Sequence, residues 1–236
     1  MHPWIESVTL RPATTPITVL PPDPAATIVW RMTPAGESDV LVAGPRTTAA
    51  YHVTKDLPVC VRLRIRPGHL VLAPPTDELV DRTVPLADVC GSSARSLAED
   101  LVRYRDRPEQ AAEFLGDYLC RRFPRRSAGR ADLVTGAVAE LTAGIASHTV
   151  GETAARLGVS ERYLRRVFRE AVGVSPKHFA RIARVRTVIG QAGRPWAETA
   201  AYAGYSDQSH LIADFRSLMR VTPQAFAAGD VPLSTC

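Results

Sequence analysis

Arg162, Arg165, Arg166 and Arg169 fall within one short stretch, Glu161 to about Ala171, whose large apolar residues include Leu164 and Phe168. On a helix, at about 100° per residue, Leu164 and Phe168 share one face. Arg162, Arg166 and Arg169 share the opposite face, and Arg165 lies at its edge. A guanidinium is permanently charged and presents parallel N–H donors, so it can clamp O6 and N7 of guanine with two bonds, which an ammonium cannot do. A helix anchored by leucine and phenylalanine with such forks facing away suits the major groove of double-stranded DNA. Charge on an isolated helix is ordinarily a solvated face. The turn that precedes this helix, and its repetition, weigh against that here.

Thr149 to Leu157 reads as a helix whose small Ala154 and Ala155 allow a neighbour to approach closely, and Gly158 ends it. Ser160 then caps the Glu161–Ala171 helix by accepting a hydrogen bond from a free backbone N–H. Helix, short glycine turn, helix is the helix-turn-helix pattern. It occurs twice, at an offset of 47 residues without gaps. Ala154 and Ala201 match, as do Leu164 and Leu211, Phe168 and Phe215, Arg169 and Arg216, Val174 and Val221, Pro176 and Pro223, and Phe179 and Phe226. A repeat of this kind implies the same supersecondary unit in both copies.

In the second copy, Pro195 to Tyr202 is the first helix, Gly204 the turn, and Asp207 to Met219 the second helix, capped by Ser206 or Asp207. Leu211, Phe215 and Leu218 make its core face. Ser209 and Ala213 face outward, Arg216 and Arg220 lie toward the C-terminal end, and Gln208 and His210 sit at the margins. This surface is less basic than the first, which points to phosphate contact or few bases read. No other His, Cys or Asp stands at ligand spacing beside His210, so DNA contact or plain exposure is expected rather than metal binding. Between the copies, Pro176 to Gln191 should form one helix with Phe179, Ile182, Val185 and Ile189 as an apolar stripe. A rigid spacer would set the two recognition helices against major-groove faces about one turn, roughly 34 Å, apart.

The elements upstream are of another kind. From Pro16 to Leu72, short apolar runs are broken by Pro, Gly and Asp, which predicts strands at 16–20, 27–31, 39–43, 49–54 and 60–66 in a barrel or sandwich. In the last strand Val61, Leu63 and Ile65 face one side and three arginines the other. That arginine side is a half-solvated sheet face or, alternatively, an anion-binding one. Stretches 86–103 and 108–123 carry helical apolar spacing, the second through Ala111, Phe114, Leu115, Tyr118 and Leu119, and would cover the sheet or join subunits. Residues 124–130, with a proline, a glycine and several arginines, read as a linker that is a solvated tether or touches phosphates. The expected organisation is α+β: a β-rich regulatory, effector or dimerisation domain at 1–123, then an all-α DNA-binding domain at 131–236. Within the latter, the units lie near 149–171 and 195–219.

Charge agrees with this division. Residues 1–123 hold 14 basic and 15 acidic side chains, while residues 124–236 hold 15 and 9, so the excess positive charge of the chain lies in its C-terminal half. Cys60, Cys90, Cys120 and Cys236 are far apart with no C-x-x-C pair, which argues against a local zinc site and for buried, reduced thiols. No stretch reaches membrane-spanning length and the N-terminus lacks a signal-like run, so a cytoplasmic protein without a membrane partner is expected.

The region from about Ala131 to Ala228 resembles the AraC/XylS family of bacterial transcription regulators. The likeness rests on Ala155-Arg156-Leu157-Gly158-Val159-Ser160, Leu164-Arg165-Arg166-Val167-Phe168, Gly173-Val174-Ser175-Pro176, Ala203-Gly204-Tyr205-Ser206-Asp207-Gln208-Ser209-His210-Leu211, Phe215-Arg216 and Val221-Thr222-Pro223. By motif register the resemblance implies base contacts from Arg162, Arg165 and Arg166 in the first unit and Gln208, Ser209 and His210 in the second. Arg169 and Arg216 complete the expected DNA-contacting set. One departure is Ala213, where the family usually carries a basic residue, followed by acidic Asp214. The first half is similar to a domain accompanying some actinobacterial members, through Val19-Leu20-Pro21, Ala43-Gly44-Pro45, Arg64-Ile65-Arg66-Pro67-Gly68 and the run Glu78 to Leu86. The resemblance implies a non-enzymatic regulator of promoter or operator DNA, without cofactor. It would have a small-molecule effector at the first domain, RNA polymerase as partner if it activates, and a monomeric or homodimeric state. Two rivals are an architectural DNA-binding protein without sequence preference and a repair protein that accepts alkyl groups on a zinc-bound cysteine.

Overall fold

A computed structural model of the chain describes residues 4–10, 17–53, 59–67, 69, 75–91, 93–123, 128–143, 149–191 and 193–232. Pro16, Thr54, Gly68, the expected linker residues 124–127 and Cys236 lie outside them. The first half contains strands β1 (Ile5–Leu10), β2 (Ile17–Leu20), β3 (Thr27–Met32), β4 (Ser38–Ala43), β5 (Ala50–Val53), β6 (Val59–Ile65) and β7 (Thr83–Pro85). They make a five-stranded antiparallel sheet in the order β1-β6-β3-β4-β7 and a separate antiparallel ribbon of β2 and β5. Strands β2 to β6 fall where the apolar runs predict them. β1 and β7 are additional: β1 is interrupted by exposed Glu6 and Ser7, and β7 is three residues long, so neither carries a clear alternating run.

Alternation decides which side of the sheet is covered. Ile28, Trp30 and Met32 of β3 and Val61, Leu63 and Ile65 of β6 are buried on one face. Helices α1 (Leu86–Cys90), α2 (Ser93–Leu101) and α3 (Pro108–Arg122) lie over that face, α2 against β4 and α3 against β6 and β1. The single helix expected over 86–103 is divided. Gly91, at φ 77°, turns the chain between α1 and α2, a conformation that a side chain disfavours. Leu97, Leu101, Ala111, Leu115 and Leu119 join Trp30 and Leu63 in one core, so the apolar stripe of these helices is used to cover the sheet.

The second half is helical: α4 (Ala128–Ala143), α5 (Val150–Arg156), α6 (Glu161–Val172), α7 (Pro176–Gly190), α8 (Trp196–Tyr202), α9 (Gln208–Met219) and α10 (Pro223–Ala227). Residues 128–130, expected as linker, already belong to α4, because no helix breaker with a fixed dihedral separates them from the helix that follows. Buried Val134, Ala137 and Leu141, at helical spacing, seat α4 in a core with Leu164, Phe168 and Phe179.

The two halves are joined by specific contacts. The N–H of Ala49 donates to the carbonyl of Leu218 at 2.7 Å, and the Tyr51 hydroxyl donates to the carbonyl of Met219 at 2.6 Å. Burial pushes the Tyr51 phenol up to about 12. Ala49 and Tyr51 share a core with Leu211, Phe215 and Leu218. At the other unit, the 3-10 turn Thr76–Leu79 packs on α6 so closely that a Cβ on Gly173 would stand 2.9 Å from the Thr76 carbonyl oxygen.

A third tie is ionic. The Asp23 carboxylate accepts from Arg64 at 2.6 and 2.8 Å and pairs with Arg186 of α7 at 3.4 Å. Burial alone would push its pKa up, but the Arg64 hydrogen bonds and charge, with that of Arg186, outweigh this and hold it below the ordinary 3.8. A depressed carboxylate contributes stability above its unfolded pKa and loses it as pH falls through the folded one. Asp23→Asn should therefore cost roughly 1 kcal/mol at pH 7, a charged hydrogen bond discounted for partial exposure. Thermal melts should show the difference between wild type and variant shrinking below about pH 4. A gap unchanged at pH 3 would contradict the ionic role of Asp23.

Candidate nucleic-acid interface

Each recognition-type helix is built by local capping. Thr149 and Glu152 form a reciprocal capping box at the start of α5, the Thr149 hydroxyl accepting from the Glu152 N–H at 3.2 Å and the Glu152 carboxylate from the Thr149 N–H at 2.7 Å. Gly158, at φ 68°, makes the turn, and the Ser160 hydroxyl accepts from the Tyr163 N–H at 3.3 Å to begin α6. Ser160→Ala should lower stability by about 1 kcal/mol, read as a shifted urea midpoint with unchanged slope.

Helix α6 separates its faces cleanly. Leu164, Val167 and Phe168 are fully buried, and the Phe168 ring meets Phe179 of α7 edge-on at 5.4 Å. Arg162, Arg165, Arg166 and Arg169 are all exposed, as the helical period requires. They are not equally free to reach outward. Both Nε and the terminal amine of Arg165 bond to Glu161, with Nε at 2.7 Å. The Arg166 guanidinium lies over the Tyr163 ring, 5.5 Å from its centre.

In the second unit Gly204, at φ 72°, turns the chain, and Asp207 rather than Ser206 caps α9, accepting from the His210 N–H at 2.7 Å. That bond and one from the Ser206 hydroxyl hold the exposed Asp207 carboxyl below the usual range. Gln208, Ser209, His210 and Arg216 are exposed. The His210 ring stands edge-on to Tyr205 at 5.2 Å, with Nδ1 3.3 Å from the Ser206 hydroxyl, so its orientation is held from beneath.

Asp214 is where the structure adds most to the sequence reading. It is buried, accepting from Arg181 Nε at 3.0 Å and pairing with Arg184 at 3.5 Å, both on α7. Its charge is thus neutralised inside the module rather than presented beside Ser209 and Ala213. Arg184 also lies 4.9 Å above the Tyr205 ring. Burial, then the Asp214 charge, push the Tyr205 phenol up. Arg181, Arg184, Tyr205 and Asp214 together brace α9 on the linker helix, and sequence reasoning did not single them out for this role. The available signal was register: Asp214 falls three residues after Leu211 and four before Leu218, on the inward face.

Among the described residues no group of three His, Cys, Asp or Glu could hold a metal ion, and no helix is long and apolar enough to cross a membrane. Cys60 and Cys90 are buried free thiols, Cys90 pushed up by burial, and Cys120 is half-buried.

Two helix-turn-helix units, the first with a strongly cationic outer helix, define the class: a double helix-turn-helix module. Residues 153–229 match the family described as a helix-turn-helix domain. No curated protein matches the chain. Among solved structures, an apo ToxT variant from Vibrio cholerae is similar over 94% of this chain and 96% of that one, with 12% identity and a TM-score of 0.50. The two thus share a fold across both halves. The DNA-binding domain of AdpA, in complex with a target DNA, is similar over 44% of this chain and 93% of that one, at 25% identity and a TM-score of 0.38. The C-terminal domain of AraT from Geobacillus stearothermophilus is similar over 44% and 90%, at 22% identity and a TM-score of 0.40.

Proposed function

We propose that the chain is a sequence-specific regulator of promoter DNA that inserts α6 and α9 into successive major-groove faces. In this reading Arg162, Arg165, Arg166 and Arg169 act from α6, and Gln208, Ser209, His210 and Arg216 from α9. The observation that carries it is α6: a fully buried apolar face opposite four exposed arginines, in a unit present twice on one rigid linker helix. Arg166, held over Tyr163, is the first choice for clamping guanine; Arg165, tied to Glu161, contributes less to base choice. Residues 1–123 serve as the regulatory domain, acting through the Tyr51 and Asp23 contacts on the second unit and linker helix. The protein would act in the cytoplasm, without catalysis, addressing RNA polymerase where it activates.

The test is selection from genomic fragments by the purified full chain at about 150 mM salt, where nonspecific phosphate binding is weakened. Two short sequence blocks about one turn apart are expected, with a preference of about 10³ or more over random DNA. Recovery of DNA without any shared block would replace this reading with architectural binding.

A further inference from the structure

A polar cleft of about 450 Å³ lies where the β2–β5 ribbon meets the end of α9, outside both recognition-helix faces. Its cations come from three separate segments: Arg46 from the turn before β5, Arg82 from the approach to β7, and Arg220 from the residue that ends α9. The acidic residue in the lining, Asp81, is already engaged, its carboxylate accepting from the Thr47 N–H at 2.7 Å and from the Thr47 hydroxyl. Three guanidinium groups against one occupied carboxylate leave a positive excess in a space the size of a small metabolite. The Arg46 charge is further crowded: burial, then the neighbouring Arg62 and Arg186 charges, pull its pKa down despite opposing Asp23 and Asp81.

The backbone supplies a second, independent observation. Among the described residues, the two non-glycine residues with left-handed φ are Asp81, at 56°, and Arg220, at 60°, and both line this cleft. The repeat shows what Arg220 replaces. At the 47-residue offset its counterpart is Gly173, which ends α6 at φ 85° with its N–H donating to Arg169, as Arg220 donates to Arg216. An arginine thus occupies a helix-ending position that the first unit fills with glycine, the residue that adopts this conformation without steric cost. Strain of this kind gathers at ligand clamps.

We propose that this cleft binds a small hydroxylated organic anion of charge about −2, gripped by Arg46, Arg82 and Arg220, with Thr48 and Thr83 meeting its hydroxyls. Guanidinium forks match phosphate and paired carboxylates alike. Because Arg220 caps the end of α9 and the other groups come from the sheet region, the bound anion bridges the two halves beside the Ala49 and Tyr51 contacts. Its influence on DNA affinity rests on the DNA-binding reading; the binding itself does not.

The test is calorimetry on the full chain without DNA, at constant ionic strength, using glycerol 3-phosphate, malate and, as neutral control, glycerol. One or both anions should bind at one site with a Kd below about 1 mM, glycerol should not, and Arg82→Gln and Arg220→Gly should each weaken binding about tenfold or more. Arg220→Gly should fold with an undiminished Tm, since glycine suits its φ. Arg166→Ala should bind the anion as wild type does. Absence of binding by both anions overturns the proposal, as does equal binding by wild type, Arg82→Gln and Arg220→Gly. Weaker duplex binding by Arg220→Gly with no anion bound would make Arg220 a DNA-phosphate contact instead.

Discussion

Arg166→Ala is expected to weaken binding to the selected DNA site by about 5- to 150-fold, the equivalent of about 1–3 kcal/mol for one bidentate base contact. Its effect on random DNA should be far smaller. A contact to phosphate alone would weaken both alike, so the ratio of the two affinities is the diagnostic quantity. The expectation follows from where Arg166 sits. It is exposed, opposite buried Leu164 and Phe168, and steadied over the Tyr163 ring rather than consumed by a carboxylate. Arg165 differs in this respect because Glu161 holds it, and Arg165→Ala should change the ratio less. Duplex titrations of wild type and both variants at one fixed salt concentration measure the affinities for selected and random DNA. An equal loss on selected and random DNA would remove Arg166 from base readout.

Phe168→Ala should destabilise the chain by about 3–5 kcal/mol, a cavity-forming loss in a packed core. The side chain is fully buried and its ring lies edge-on to Phe179, which couples α6 to the linker helix α7. Against a typical total of about 5–15 kcal/mol, that loss would leave the first unit poorly held. Urea unfolding followed by circular dichroism gives the value, and DNA affinity should fall on selected and random sequences together. A loss under about 1 kcal/mol would mean that the ring is not the anchor its burial implies.

The helical half was largely legible because its signals are short-range. Capping by Ser160 and Asp207, turns at Gly158 and Gly204, and Pro176 in the first turn of α7 each act within a few residues, and the structure reproduces them. The exposure of all eight expected contact residues follows from helical period alone. Elements β1 and β7 were not legible. Their strand character depends on β6 and β4 supplying partners distant in sequence, and their own patterns are weak. The division at Gly91 was missed because apolar spacing continues on both sides of it, while the left-handed turn depends on a backbone dihedral that spacing does not record.

By itself, the sequence determined that two copies of one helix-turn-helix unit follow a β-rich half, and which side of each second helix faces water. Both depend on periodicity and turn chemistry, which are local. The tertiary structure decided the fate of charges and the joining of the halves. Asp214 lies beside Ala213 in sequence yet is buried against Arg181 and Arg184, and Asp23 meets Arg186 from the far end of the chain. Tyr51 closes on the carbonyl of Met219, and Arg46, Arg82 and Arg220 converge on one cleft. The physical reason is common to all of these. The energy of a charge or a buried hydroxyl depends on partners within a few ångströms, and only the folded chain brings those partners together.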